Sequence, residues 1–214
     1  MPELHVKDKY QSSEIAEKYD GRRFESVAGR NRNRLKIAAI NKALSRIGDP
    51  GLLLDLPYGT GRFFDFLSGR GIRFVGSDVS FEMLRYAATK DTAGYAPLVV
   101  ADVNALPFAD DSFDTVMSIR FLFHLSPAER VRAIRELARI CKGRLILDYR
   151  LRFASLKNIS RIVRHRLGLA APLKRPTKKE MLAELAEAGL DPVEIFTVTP
   201  VFSDKFIVVC RKRG

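Results

Sequence analysis

The sequence predicts an α/β fold of the doubly wound kind, a mostly parallel sheet with helices on both faces. Three observations carry that expectation. Short apolar segments of strand length alternate with helical segments from about residue 51 to residue 150. The stretch LLLDLPYGTGRF (52–63) runs a leucine-rich strand through a glycine bend into a helix. Beyond residue 178 come one helix and two strands joined by a short connection, so the last strands are predicted to pair antiparallel.

Taken in order, Ser12 to Tyr19 and Arg32 to Ile47 read as helices, the second with Leu35, Ala39, Ile40 and Leu44 on one face. Gly51 to Leu56 is a buried-strand run, and Gly61 to Ser68 starts the next helix. Ile72 to Gly76 is a strand and Phe81 to Thr89 a helix. Pro97 to Ala101 and Ser112 to Ser118 follow as strands, then Pro127 to Cys141 as a strongly amphipathic helix and Arg144 to Tyr149 as a strand. Lys178 to Ala188 is a helix closed by Gly189. Val193 to Thr199 and Phe206 to Arg211 complete a seven-stranded sheet.

A chain of 214 residues that is 46% hydrophobic can bury one substantial core and is short for two ordinary domains. A single domain over 1–214 is expected. Cys141 and Cys210 are too few for a disulfide framework, and no charged-then-apolar leader opens the chain, so a reducing, cytoplasmic setting is the default. The longest apolar runs are strand-sized, short of the ~20 residues that span a bilayer. Three histidines and two cysteines without ligand spacing suggest no metal.

Net charge is +12, from 37 basic and 25 acidic residues, and its location is informative. Residues 149–179 hold ten Lys or Arg and no Asp or Glu, which leaves 27 basic against 25 acidic elsewhere. The excess is mostly one segment. Within it Leu156, Ile159, Val163 and Leu167 share a helical face, with Lys157, Arg161 and Arg164 toward another. Such a basic amphipathic helix suits an anionic ligand or membrane surface; a solvated charged face packed on the sheet is the plain alternative. No aromatic stacking platform interleaves the arginines, so nucleic acid ranks lower.

In open α/β sheets ligands bind beyond the carboxyl ends of the strands, where glycine lets the backbone approach and a helix N-terminus offers N–H groups. A nucleotide-like ligand is therefore expected beside Asp55. A P-loop would need Gly-Lys-Ser/Thr, and Gly61 is followed by Arg62-Phe63. The dinucleotide fingerprint needs a third small residue where Phe64 stands, which disfavours NAD or FAD. Tyr86 and Lys90 match the spacing of a short dehydrogenase signature, but on the helix after the second strand, and are read as coincidence.

LLLDLPYGTGRF, VGSDVSFEML (75–84), VVADVNALPFADDSFDTVMS (99–118) and RLILDYR (144–150) occur in one order. Together they resemble the class I S-adenosylmethionine-dependent methyltransferases, in particular the branch similar to ubiquinone and menaquinone biosynthesis enzymes, with a Rossmann-like sheet. The resemblance implies S-adenosylmethionine as cofactor. It assigns the methionine portion to Asp55, Tyr58, Gly59, Thr60 and Gly61, and the ribose hydroxyls to Asp78, with Val79 beside it. Asp102 and the Val103 N–H would read adenine's edge, and Ser118, Ile119 and Arg120 would line the remaining wall. Taken singly, Asp78 or Asp102 is as readily a turn residue or helix cap.

Many relatives carry Gly-Cys where this chain has Pro57-Tyr58, so the first position loses its N–H and cofactor contacts are expected from Tyr58 onward. Methyl transfer from a sulfonium is an in-line displacement that mainly needs positioning and exclusion of water. His124 is the first choice as base for a hydroxyl acceptor, set against the reading of a structural histidine beside apolar residues. AEKYDGRRFES (16–26) resembles the lid segment of this branch, which makes 1–48 a helical lid and Tyr19 and Arg23 candidate contacts; an ordinary capping helix is the alternative. Residues 149–176 form a basic insertion where this family places acceptor-binding elements, with Arg150 a candidate contact. The expected acceptor is small or lipid-like and anionic, with peripheral membrane contact; an RNA methyltransferase and a non-catalytic cofactor-binding protein remain the alternatives.

Overall fold

The computed structural model describes residues 26–91, 94–152, 175–199 and 203–213. The strands are β1 Leu53–Asp55, β2 Phe74–Asp78, β3 Leu98–Val100, β4 Phe113–Ser118, β5 Cys141–Arg150, β6 Leu190–Thr197 and β7 Lys205–Lys212. They form one sheet in the order β3-β2-β1-β4-β5-β7-β6. The first five pair in parallel, and β7 pairs antiparallel with both β5 and β6. The helices among the described residues are α1 Val27–Ile47, α2 Phe64–Ser68, α3 Phe81–Ala88, α4 Pro127–Ile140 and α5 Lys178–Glu187. The seven-stranded, doubly wound fold with an antiparallel last strand is the one the sequence predicts.

Alternation along each strand divides the interior into two cores. Leu54, Val116, Leu145 and Leu147 pack with Ile134 and Leu137 of α4 and Leu185 of α5. Their neighbours Leu53, Met117 and Ile146 turn to the other face and pack with Ile40 and Leu44 of α1, Leu67 of α2 and Leu84 of α3. All are buried, and each such side chain contributes about 1.5–3 kcal/mol of transfer free energy. Burial on both faces explains why the central strands read as unbroken apolar runs rather than alternating ones.

Two buried ion pairs fix the helical layers. Arg130 of α4 forks onto Glu184 of α5, Nε to Oε2 at 3.0 Å and Nη2 to Oε1 at 2.6 Å, while the Tyr149 hydroxyl donates to Glu184 Oε2 at 3.3 Å. On the opposite face Lys36 of α1 donates to Asp148 of β5 at 2.6 Å. Sequence position made neither pair visible.

Element ends differ from the sequence reading where tertiary pairing decides them. β2 continues past Gly76 to Asp78, because Gly76, Ser77 and Asp78 pair with Leu98, Val99 and Val100 despite weak strand propensity. α1 begins five residues before Arg32, at Val27, where the Ser26 side chain accepts from the Gly29 N–H at 3.0 Å. α2 starts at Phe64 rather than Gly61, since Gly61 has a φ of 70°. Among the described residues no helix is long and apolar enough to cross a membrane. Ser12 to Tyr19, the candidates Tyr19 and Arg23, and residues 153–174 of the basic insertion lie outside the described residues.

Candidate cofactor and acceptor site

The strand order reverses between β1 and β4, which places a crevice beyond their carboxyl ends. Asp55 ends β1 there, fully buried, with neither carboxylate oxygen hydrogen-bonded among the described residues. Burial, and then the neighbouring Asp78 charge, holds its carboxyl well above the usual carboxylate range. Asp55 is in register with Gly76 of β2 and Met117 of β4, and the next residues, Ser77 and Ser118, carry buried hydroxyls that also lack partners. Unpaired oxygens thus mark the carboxyl ends of three adjacent strands, Asp55 on one face of the sheet and Ser77 and Ser118 on the other.

The loop after Asp55 is tied down on its strand side. The Leu56 N–H donates to Met117 O at 2.9 Å, the Leu56-Pro57 peptide is cis, and the Tyr58 N–H donates to Ser77 O at 2.8 Å. The Gly59 N–H reaches Asp78 Oδ2 at 2.7 Å. The Tyr58 and Gly59 N–H groups are thus both engaged with β2, so what Tyr58 and Gly59 offer a ligand comes from their other atoms. Gly59 adopts a φ of 59°, and a Cβ there would meet nothing within 4 Å, so its outer side is open. Thr60 beside it is buried.

The Tyr58 ring lies beneath this loop, in contact with the core. It is 4% exposed, with its centroid 6.2 Å from that of Phe74. A Cβ on Gly76 would stand 2.7 Å from Tyr58 Cγ and 2.8 Å from Leu98 Cδ2, so glycine at 76 is what gives the ring its room.

Asp78 is 7% exposed and accepts from Gly59 N–H on one oxygen and, at 3.0 Å, from Ser80 N–H on the other. Burial raises its proton affinity against the opposing pull of the Ser80, Gly59 and Val79 N–H groups. Val79 and Phe81 are exposed beside it. Past β3, Asp102 Oδ1 accepts from the Asn104 N–H at 3.0 Å and from Asn104 Nδ2 at 2.9 Å, a local turn bond that realises the turn role open to it in the sequence. Val103 is half-buried next to it.

After β4, Ile119 is buried and Arg120 has a φ of 65°, its N–H donating to Asp148 Oδ2 at 3.1 Å. His124 closes the short 3₁₀ turn Leu122–His124, exposed, with its ring centroid 4.2 Å from that of Phe123. Arg150 ends β5 with its guanidinium 3.8 Å from the Phe123 ring centroid.

Residues 54–147 match the family described as the methyltransferase domain. Those residues carry the methyltransferase domain. It is 33% identical over 140 residues to a demethylmenaquinone methyltransferase of Thermobifida fusca, covering 62% of this chain and 56% of that protein. To a malonyl-[acyl-carrier protein] O-methyltransferase of Erwinia pyrifoliae it is 32% identical over 172 residues, 79% of this chain and 63% of the other. The chain thus spans between half and two thirds of these relatives' length. A solved structure of magnesium protoporphyrin IX methyltransferase from Synechocystis, with S-adenosylhomocysteine bound, superposes with a TM-score of 0.76 over 98% of each chain at 20% identity, which speaks for the fold.

Within this methyltransferase domain the structure brings Asp55, Gly59, Asp78 and Ser118, all named from the sequence, to the carboxyl ends of β1, β2 and β4. It missed Lys36, Asp148 and Lys205. The available signals were Lys36 three and four residues before the core positions Ala39 and Ile40, and the acid that interrupts RLILDYR.

Proposed function

We propose that the chain is an enzyme that binds S-adenosylmethionine at the carboxyl ends of β1, β2 and β4 and transfers its methyl group to a small or lipid-like, anionic acceptor. The observation that carries this reading is Asp55, a fully buried carboxylate with no hydrogen-bond partner among the described residues, beside an open glycine bend. An unpaired buried carboxyl is unfavourable alone and fits a ligand that brings positive charge.

The cofactor supplies a methyl already activated on a sulfonium, so the protein's work is positioning and exclusion of water. Asp55 holds the cationic methionine end, with Gly59, Thr60 and Gly61 alongside and Tyr58 supporting the bend from below. Asp78, oriented by two backbone donors, retains acceptor capacity on each oxygen for a vicinal diol. Val79 lies against adenine, Asp102 and the Val103 N–H recognise its edge, and Ser118, Ile119 and Arg120 close the far wall. His124 removes the proton when the acceptor is a hydroxyl. Arg150 meets the acceptor, with Tyr19 and Arg23 supplied by the N-terminal lid. In this reading 1–214 is one cytoplasmic domain whose basic insertion, 149–176, touches the acceptor or an anionic membrane surface.

Calorimetric titration with S-adenosylmethionine and S-adenosylhomocysteine tests the proposal. Both should bind, and Asp78→Ala should weaken each by at least about tenfold, the effect of losing hydrogen bonds to a charged acceptor. Folded protein that gives neither heat nor thermal protection with either compound would overturn it.

A further inference from the structure

Arg150 of β5 and Lys205 of β7 are direct partners across the antiparallel ladder. Like charges set opposite one another in a sheet repel. Burial lowers the proton affinity of both groups, against the opposing charges of Asp148 and Asp204, and the Arg150 charge lowers that of Lys205 further. The carboxylates in reach are engaged elsewhere. Asp148 takes Lys36 Nζ on one oxygen and the Arg120 N–H on the other, and Asp204 takes Arg175 Nη1 at 2.7 Å. Among the described residues neither Arg150 nor Lys205 has a carboxylate partner, and Arg150 Nε is buried without any hydrogen-bond acceptor.

The arrangement is pre-formed. The guanidinium rests over the Phe123 ring at 3.8 Å, which fixes its plane, and Arg32, Arg120 and Arg175 add positive field around the pair. A fixed guanidinium with an unsatisfied donor, paired with an ammonium across one ladder step, is the donor set that recognises a planar or tetrahedral oxyanion. We propose that Arg150, Lys205 and the Phe123 ring form an oxyanion subsite that anchors the acceptor through a carboxylate or phosphate group. This rests on the methyltransferase reading and names its acceptor class. Strand β5 stands two places from β1, about 10 Å at ordinary sheet spacing, so the anchored anion lies well to one side of Asp55. The oxyanion is accordingly a handle, and the methylated atom lies elsewhere on the acceptor.

Benzoate and inorganic phosphate serve as probes, titrated into the whole chain at low salt and followed by thermal shift and calorimetry, with S-adenosylhomocysteine titrated in parallel. At least one anion should raise the Tm. Arg150→Gln and Lys205→Gln should each weaken that binding by about tenfold or more, leave cofactor-product affinity within about twofold, and leave the anion-free Tm unchanged or higher because repulsion is relieved. Benzoate protection alone assigns a carboxylate and phosphate protection alone a phosphate, each supporting the subsite. Protein that binds S-adenosylhomocysteine but neither anion overturns it, as does anion protection that survives both substitutions; either result leaves the methyltransferase reading standing. Absence of S-adenosylhomocysteine binding sinks that underlying reading instead.

Discussion

A carboxyl group whose proton is retained by burial must release it when a cation arrives, and Asp55 gives that rule a measurable form. Its folded-state pKa is raised, first by desolvation and then by Asp78, above the value it has in the unfolded chain. Between those two values the unfolded state binds fewer protons, so the ligand-free protein loses stability as pH rises through the window. A cationic ligand favours the ionised form, so affinity for S-adenosylmethionine should climb with pH over the same window, with proton release detectable by calorimetry in buffers of different ionisation heat. Asp55→Asn should flatten the profile and weaken binding about tenfold; a pH-independent affinity in the unaltered protein would defeat the assignment. Asp55, Gly59 and Asp78 were legible in the sequence because their positions follow from one strand–bend–helix unit and the strand after it. Lys36 and Asp148, 112 positions apart, were not, since nothing local distinguishes a buried lysine from a solvated one until the partner is in place.

At the level of elements, α4 and α5 are the best-determined pieces. Each opens with a capping box, Ser126 with Glu129 and Thr177 with Glu180, and each was predicted to start at the residue where it starts. Their mutual orientation depends instead on the Arg130–Glu184 fork, whose members come from separate helices. Glu184→Ala should destabilise the fold by about 3–5 kcal/mol, because it strands a buried guanidinium, and chemical denaturation would measure it. Cofactor affinity in the folded fraction should be unchanged, as α4 and α5 cover the sheet away from the bend at Gly59. A loss below about 1 kcal/mol would mean that Arg130 finds other acceptors beyond Leu125 O, to which its Nη1 already donates at 2.8 Å. Strand ends were harder to read: Gly76 and Ser77 look like breakers, and only pairing with β3 carries β2 through to the carboxylate that matters.

Over the whole molecule, the reversal of strand order decides where the crevice lies, and the charge is concentrated in one segment. Both were visible in the sequence, the first as a succession of elements and the second as ten cations without an acid in residues 149–179. That Lys205 stands opposite Arg150 was not visible, because β7 brings it there only by lying antiparallel between β5 and β6. The chain should sediment with phosphatidylglycerol vesicles and not with phosphatidylcholine vesicles, and the bound fraction should fall several-fold between about 0.05 and about 0.5 M salt as screening shortens the reach of the basic segment. Stronger, salt-sensitive retention of tRNA under the same conditions would reverse the order of preferred partners.

The Tyr58 ring and the bare backbone at Gly76 also make two distant positions one unit of exchange. An aromatic ring fits beneath the bend only with no side chain at position 76, and that glycine cannot be exchanged without displacing the ring. Grafting a relative's Gly-Cys bend onto this chain would leave a ring-sized hollow under the cofactor loop, while grafting Pro57-Tyr58 onto a relative demands the glycine first.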